Sequence, residues 1–216
     1  MSIVYDCTDP DSRRAGIAAA RAAAKTGRLV VLPTDTVYGI GCDAFDGRAV
    51  ADLLAAKHRG PDMPVGVLVG SWNTIDGLVS RVSPQARDLT RAFWPGAVSL
   101  VVEQAPSLAW DLGDTRGTVM LRMPLHPVAI ELLREVGPMA VSSANVSGRA
   151  PAATMGDARE QLGESVDVYL DAGEATHGLA STIIDLSGPS PRLLREGSVT
   201  AAQVAEVLGV DAASLA

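Results

Sequence analysis

Short aliphatic runs, cut off by proline or by bursts of small polar residues, set the tightest limit on how this chain folds. Arg28 to Leu32 is stopped by Pro33, and Val119 to Met123 by Pro124. Met139 to Ser142 opens into the polar stretch Ser143 to Pro151, and Val98 to Val102 leads into a loop over 104–117 rich in Pro, Gly and Asp. Val65 to Val69 is a further run of this kind. Runs of about five apolar residues with such boundaries suit buried strands and are too short for helices. Between them lie helical patterns. Residues 11–26 are Ala-rich and end at Gly27. Asp46 caps a predicted helix over 47–57, with Val50, Leu53 and Leu54 on one face. Ser83-Pro84 opens a helix through Phe93, and Pro127 to Val136 is amphipathic. Thr154 with Asp157 forms a capping box for a helix through Leu162, and Thr200 caps a last helix through Leu208. Further strands are predicted near Val166–Leu170, Ser181–Leu186 and Arg192–Arg195.

Helices and strands alternate without strict βαβ regularity, and several strands follow one another directly. The expectation is an α/β fold built on an open, twisted, mixed sheet with flanking helices. No repeat or linker divides residues 1–216, so one domain is expected. Aromatic residues are only 4% of the chain, which leaves the core to aliphatic side chains. No apolar run is long enough to cross a bilayer, and the N-terminus lacks a signal pattern, so a cytoplasmic protein without membrane contact is expected. Cys7 and Cys42 form no CxxC, and His58, His126 and His177 lack HExxH spacing, so no protein-held metal is expected. The net charge of −7 disfavours a general nucleic-acid binder. Of 18 basic residues only Lys25 and Lys57 are lysines.

Six segments carry candidate chemistry. PTDTVYGIG at 33–41 places Thr34, Asp35, Thr36 and Tyr38 where the chain leaves a strand, a favoured place for ligands and equally a turn whose hydroxyls serve the local backbone. Gly39 to Ala44 mimics a dinucleotide GxGxxA, but PTDTVY separates it from the strand and the helix cap falls later, at Asp46. Lys57 and Arg59 at a helix end suit either the helix dipole or a phosphate clamp. Thr118, Met120 and Arg122 share one strand face, so Arg122 serves either solubility or a carboxylate. SSANVSG at 142–148 concentrates small hydrogen-bonding residues suited to phosphate or nucleobase. STIID at 181–185 and RLLREG at 192–197 are weak alone. No P-loop and no GxSxG are present, and no serine nucleophile is expected.

In order, PTDTVYGIG, Lys57-x-Arg59, WPGAVSLVV at 94–102, Arg122-x-Pro124, SSANVSG and STIID with RLLREG resemble the YrdC-like threonylcarbamoyl-AMP synthases over about residues 10–209. The resemblance implies an open twisted α/β fold with a concave basic cavity. It implies formation of threonylcarbamoyl-AMP and pyrophosphate from L-threonine, bicarbonate and ATP with Mg²⁺, for downstream tRNA threonylcarbamoyl-transferase machinery. Thr36, Arg122, Ser142 and Thr182 would surround threonine. Lys57, Arg59, Met63, Thr118, Ser143, Ala144, Asn145 and Arg195 would surround ATP, with Lys57 and Arg59 assisting the chemistry. Gly60 and Met63 stand where relatives often carry Pro and a polar or basic residue, and Ser99 where they usually carry Thr. The residues show no evident general base. Two other readings remain open here. One is a non-catalytic RNA-binding or ribosome/tRNA assembly module, which the acidity and scarce aromatics oppose; direct tRNA contact is expected to be weak or indirect. The other is a sugar-phosphate enzyme, which would need an acidic metal cluster.

Overall fold

The computed structural model describes residues 2–176 and 178–216. Its elements are β1 (Ile3–Asp6), α1 (Pro10–Lys25), β2 (Val30–Leu32), β3 (Gly39–Asp43), α2 (Gly47–Ala56), β4 (Gly66–Leu68), α3 (Ile75–Leu78), α4 (Pro84–Phe93) and β5 (Val98–Glu103). There follow β6 (Thr118–Arg122), α5 (Pro127–Val136), β7 (Met139–Ser143), α6 (Met155–Leu162), β8 (Val168–Asp171), β9 (Thr182–Asp185), β10 (Arg192–Arg195) and α7 (Ala201–Leu208). The expected caps are in place. Asp46 accepts from the backbone of Arg48 and Ala49, Ser83 accepts from Ala86, and Thr154 and Thr200 each close a capping box.

All ten strands join one mixed sheet in the order β1-β8-β2-β3-β7-β4-β6-β5-β9-β10. β1–β8, β8–β2, β4–β6 and β5–β9 are parallel, and the remaining pairs are antiparallel. Successive residues of a strand point to opposite faces, and the two apolar cores follow from that rule. Val31, Ile40, Val67, Ala140, Leu100, Leu121 and Ile184 pack against α2, α3, α4, α6 and α7. Their neighbours Val30, Leu32, Leu68, Met139 and Val141 pack against α1 and α5. This second layer covers only part of its face. Beyond it, over β4, β6, β5 and β9, the sheet is left uncovered by helix, and the cavity described below occupies that space.

Two strands depart from the sequence expectation. Ile3–Asp6 pairs in parallel with β8, although the N-terminal residues carry no strand signal beyond their four-residue length. The segment 33–41 is a turn only as far as Tyr38; Gly39–Asp43 is a strand paired with both β2 and β7. Its glycines therefore serve packing. A Cβ on Gly39 would lie 2.7 Å from Val141 Cγ1, and one on Gly41 2.8 Å from Val141 Cγ2. A strand at this point also removes the dinucleotide geometry that GxGxxA requires. No helix among the described residues is long and apolar enough to cross a membrane.

Candidate functional site

The uncovered sheet face forms a cavity of about 320 Å³. Gly39, Gly66, Met120, Val141 and Ile183 lie along its floor, where the two glycines leave room. A Cβ on Gly66 would sit 2.4 Å from Met120 Cε, within this floor. Hydroxyls of Thr34, Thr36, Ser99, Ser142, Ser143 and Ser181 face it, and so do Arg59, Arg122 and Arg195. Among the described residues no carboxylate lines it. Three guanidiniums without a lining counter-charge, beside several hydroxyls, suit an anionic ligand that also carries hydrogen-bonding groups.

Arg122 is the most constrained of the three. Its Nε donates to Gly96 O (2.8 Å), Nη1 to Thr36 Oγ1 (2.8 Å) and Nη2 to Asp35 Oδ1 (2.5 Å). Its side chain is 8% exposed and that of Asp35 4%. Burial pulls the Arg122 pKa down, and Asp35 opposes that pull. A guanidinium offers five N–H donors, so this one keeps donors for a ligand carboxylate.

Arg59 and Arg195 are less buried. Arg59 Nη1 donates to Ser142 Oγ (3.2 Å), and its buried Nε has no hydrogen-bond partner among the described residues. Arg195 donates to Ser181 O through Nε (3.1 Å) and Nη2 (2.7 Å). Burial lowers both pKa values, with Asp62 opposing at Arg59, but guanidinium remains charged at any ordinary pH.

Lys57 has a different place. It is 1% exposed and does not line the cavity. Its Nζ donates to Asn145 O (2.6 Å) and to Ser143 O, and its own carbonyl accepts from Ser147 N (2.9 Å). The end of α2 is thereby tied beneath the SSANVSG loop that presents Ser142 and Ser143. His58, with φ 52°, turns the chain between Lys57 and Arg59. Burial first, and Arg59 second, push the Lys57 pKa down to about 8 from 10.5. Between those two pH values the unfolded chain holds a proton that the native state releases. Lys57 therefore contributes stability that rises with pH across that window. Between pH 8 and pH 10, urea denaturation is expected to show wild type gaining stability relative to Lys57→Met, because the raised cysteine and tyrosine pKa values lower the stability of both proteins alike as pH rises. The difference between the two proteins isolates Lys57 from the tyrosines and cysteines that titrate nearby. Equal pH dependence would place Nζ in water.

Of the residues expected around the ligands, the cavity brings together Thr36, Arg59, Arg122, Ser142, Ser143 and Arg195. The others stand elsewhere. Ala144 is fully buried, and Met63 is 40% exposed on a loop that residues 113–114 hold through Asp114 N–Pro61 O. The Thr118 hydroxyl donates to Thr115 O (2.8 Å), and the Asn145 amide donates to Val146 O and Arg149 O. Thr182 lies on the opposite face of β9, where its hydroxyl donates to Val199 O and accepts from Gly197 N and Val199 N. Thr34, Ser99 and Ser181 line the cavity without having been placed around either ligand. Strand alternation carries a signal for Ser181: Ile184 is a core residue, so Thr182 shares its face and Ser181 takes the other. Among the described residues no group of three or more His, Cys, Asp and Glu is arranged to hold a metal, and His177 lies outside those residues.

The Sua5/YciO/YrdC family model, described as telomere recombination, matches residues 22–197. A Mycobacterium tuberculosis (H37Rv) protein, provisionally named threonylcarbamoyl-AMP synthase, is 67% identical over 215 residues, covering 100% of this chain and 99% of that protein. Bacillus subtilis threonylcarbamoyl-AMP synthase is 35% identical over 196 residues, covering 89% of this chain but 56% of its own length. The structure of Pyrococcus abyssi Sua5 complexed with L-threonine superposes with a TM-score of 0.89 at 30% identity, covering 96% of this chain and 61% of that one. This chain thus spans somewhat more than half of those two longer proteins. By its family match, its end-to-end relative and its fold, the chain belongs to the Sua5/YciO/YrdC family.

Proposed function

We propose that this chain makes threonylcarbamoyl-AMP and pyrophosphate from L-threonine, bicarbonate and ATP. The observation that carries the proposal is one cavity joining Arg59, Arg122 and Arg195 to a set of hydroxyls, in a family whose members bear that activity in their names. Arg122 takes the threonine carboxylate, and Thr36 and Ser142 serve its polar groups. Arg59 and Arg195 meet the phosphates, and Ser143 supports them. Lys57 shapes the loop from beneath.

Threonine's amine and bicarbonate give a carbamate and water. A carbamate oxygen attacks the α-phosphorus, the bond from that phosphorus to the bridging oxygen breaks, and pyrophosphate leaves. No protein nucleophile is required; positioning and charge stabilisation carry the rate. Mg²⁺ enters with ATP as substrate. Since no carboxylate among the described residues lines the cavity, the triphosphate itself is expected to hold the ion. The product goes to tRNA-modifying transferase machinery in the cytoplasm, and tRNA touches this chain weakly or indirectly.

The test is pyrophosphate release with ATP, Mg²⁺, bicarbonate and candidate amino acids. Release is expected only when threonine and bicarbonate are both present. Equal release with either omitted would replace this reading with a generic ATPase. The RNA-binding alternative has no support in the relatives' names.

A further inference from the structure

Thr34, Asp35 and Thr36 alternate in direction. The two threonines line the cavity, and Asp35 between them does not. Asp35 is 3% exposed, and its Oδ1 accepts two bonds, from Arg122 Nη2 (2.5 Å) and from the backbone N–H of Leu125 (2.9 Å). Those two donors flank Met123-Pro124, the turn from β6 into α5. Its Oδ2 is buried and has no hydrogen-bond partner among the described residues. Asp35 thus turns away from the ligand space and spends its bonds on the residue that borders it.

We propose that Asp35 is the positioning residue of the carboxylate site, clamping the Arg122 guanidinium and the turn beyond it in the orientation that receives an amino-acid carboxylate. The inference rests on the reading of the cavity given under Proposed function. Two effects of Asp35 compete. Its negative charge weakens the pull of Arg122 on an anion. Its bond fixes the plane of the fork and pairs a cation that is otherwise buried. Geometry is expected to win. With an amide in place of the carboxylate, Arg122 loses its counter-charge and keeps only neutral acceptors, and a buried unpaired cation is relieved by swinging out into the cavity that the ligand needs. A two-pronged carboxylate contact also depends on planar alignment more than a point-charge contact does.

The test is Asp35→Asn, assayed once wild type has shown threonine-dependent pyrophosphate release; absence of that release would overturn the functional reading before this one is reached. The KM for threonine is expected to rise at least tenfold, while the KM for ATP stays within about twofold. The Arg122 Nε–H, bonded to Gly96 O, is expected to exchange slowly in nitrogen-15 NMR of wild type and to lose that protection in the variant. In an Arg122→Lys background, Asp35→Asn is expected to change the threonine KM by less than about twofold, because the residue through which it acts is gone. A fall in threonine KM would overturn the proposal by showing that the charge of Asp35 opposes binding. Parallel increases in both KM values, or additive effects of the two substitutions, would reduce Asp35 to a structural residue. Should Asp35→Asn fail to fold, Asp35→Glu serves in its place, with the carboxylate kept but displaced by one methylene, and the same split between KM values decides.

Discussion

Arg122→Leu is expected to lower kcat/KM for threonine by about 10³-fold while leaving the KM for ATP within a few-fold of wild type. The estimate follows from two charge-assisted bonds to a carboxylate, each worth about 1.5–3 kcal/mol in a dry site. The surroundings of Arg122 add a second effect. Its guanidinium pairs with Asp35, and both side chains are under 10% exposed, at 8% and 4%. Removing one partner leaves a carboxylate buried without its cation, a change that costs about 3–5 kcal/mol of stability. Thermal denaturation must therefore accompany the kinetics. Arg122→Lys separates the two effects, because it keeps the charge beside Asp35 but loses the planar fork. The lysine variant is expected to recover much of the stability and little of the threonine efficiency. Wild-type threonine kinetics in a folded lysine variant would show that Arg122 acts only as the partner of Asp35, and the carboxylate would have to bind at Arg59 or Arg195.

How much of this was legible in the sequence depends on whether the signal is local. Pro33 and Pro124 end strands because proline breaks both ladder and periodicity, and α5 begins and ends where its pattern predicts. Asp46, Thr154 and Thr200 cap helices through bonds that span two or three residues, so the sequence alone suffices. β3 was obscured because its glycines lower strand propensity and imitate a phosphate loop; their reason is Val141, a hundred residues away in the chain and adjacent in the sheet. Lys57 and Arg59 look equivalent as a spaced pair. The left-handed turn at His58 and the carbonyls of Ser143 and Asn145 separate them into a buried tie and a cavity wall. Ser99 and Ser181 meet at 2.9 Å only because β5 and β9 are parallel neighbours, a pairing that no local pattern predicts. Thr182 was within reach, since alternation through Ile184 already assigned it to the core side.

Amino-acid selectivity follows from the same hydroxyls and is expected to run threonine, then serine, then valine, with valine about 10⁴-fold below threonine in kcat/KM for pyrophosphate release. The cavity retains hydrogen-bonding capacity for a ligand hydroxyl. Ser142 Oγ accepts from Arg59, and among the described residues its own O–H donates to no protein group. Serine keeps the substrate hydroxyl and loses one methyl against the apolar part of the wall, where Val141, Met120 and Ile183 stand. That loss costs about 1–3 kcal/mol, or roughly 10–200-fold. Valine keeps the shape of threonine and brings a methyl where the hydroxyl was. It leaves polar groups of the site without partners, which is the more expensive change. Ser142→Ala supplies the internal control. It removes one such group, so valine is expected to lose less against threonine in that variant than in wild type. Valine matching serine in the wild-type protein would turn these hydroxyls toward the nucleotide instead, and would leave Arg122 as the only part of the threonine reading still standing.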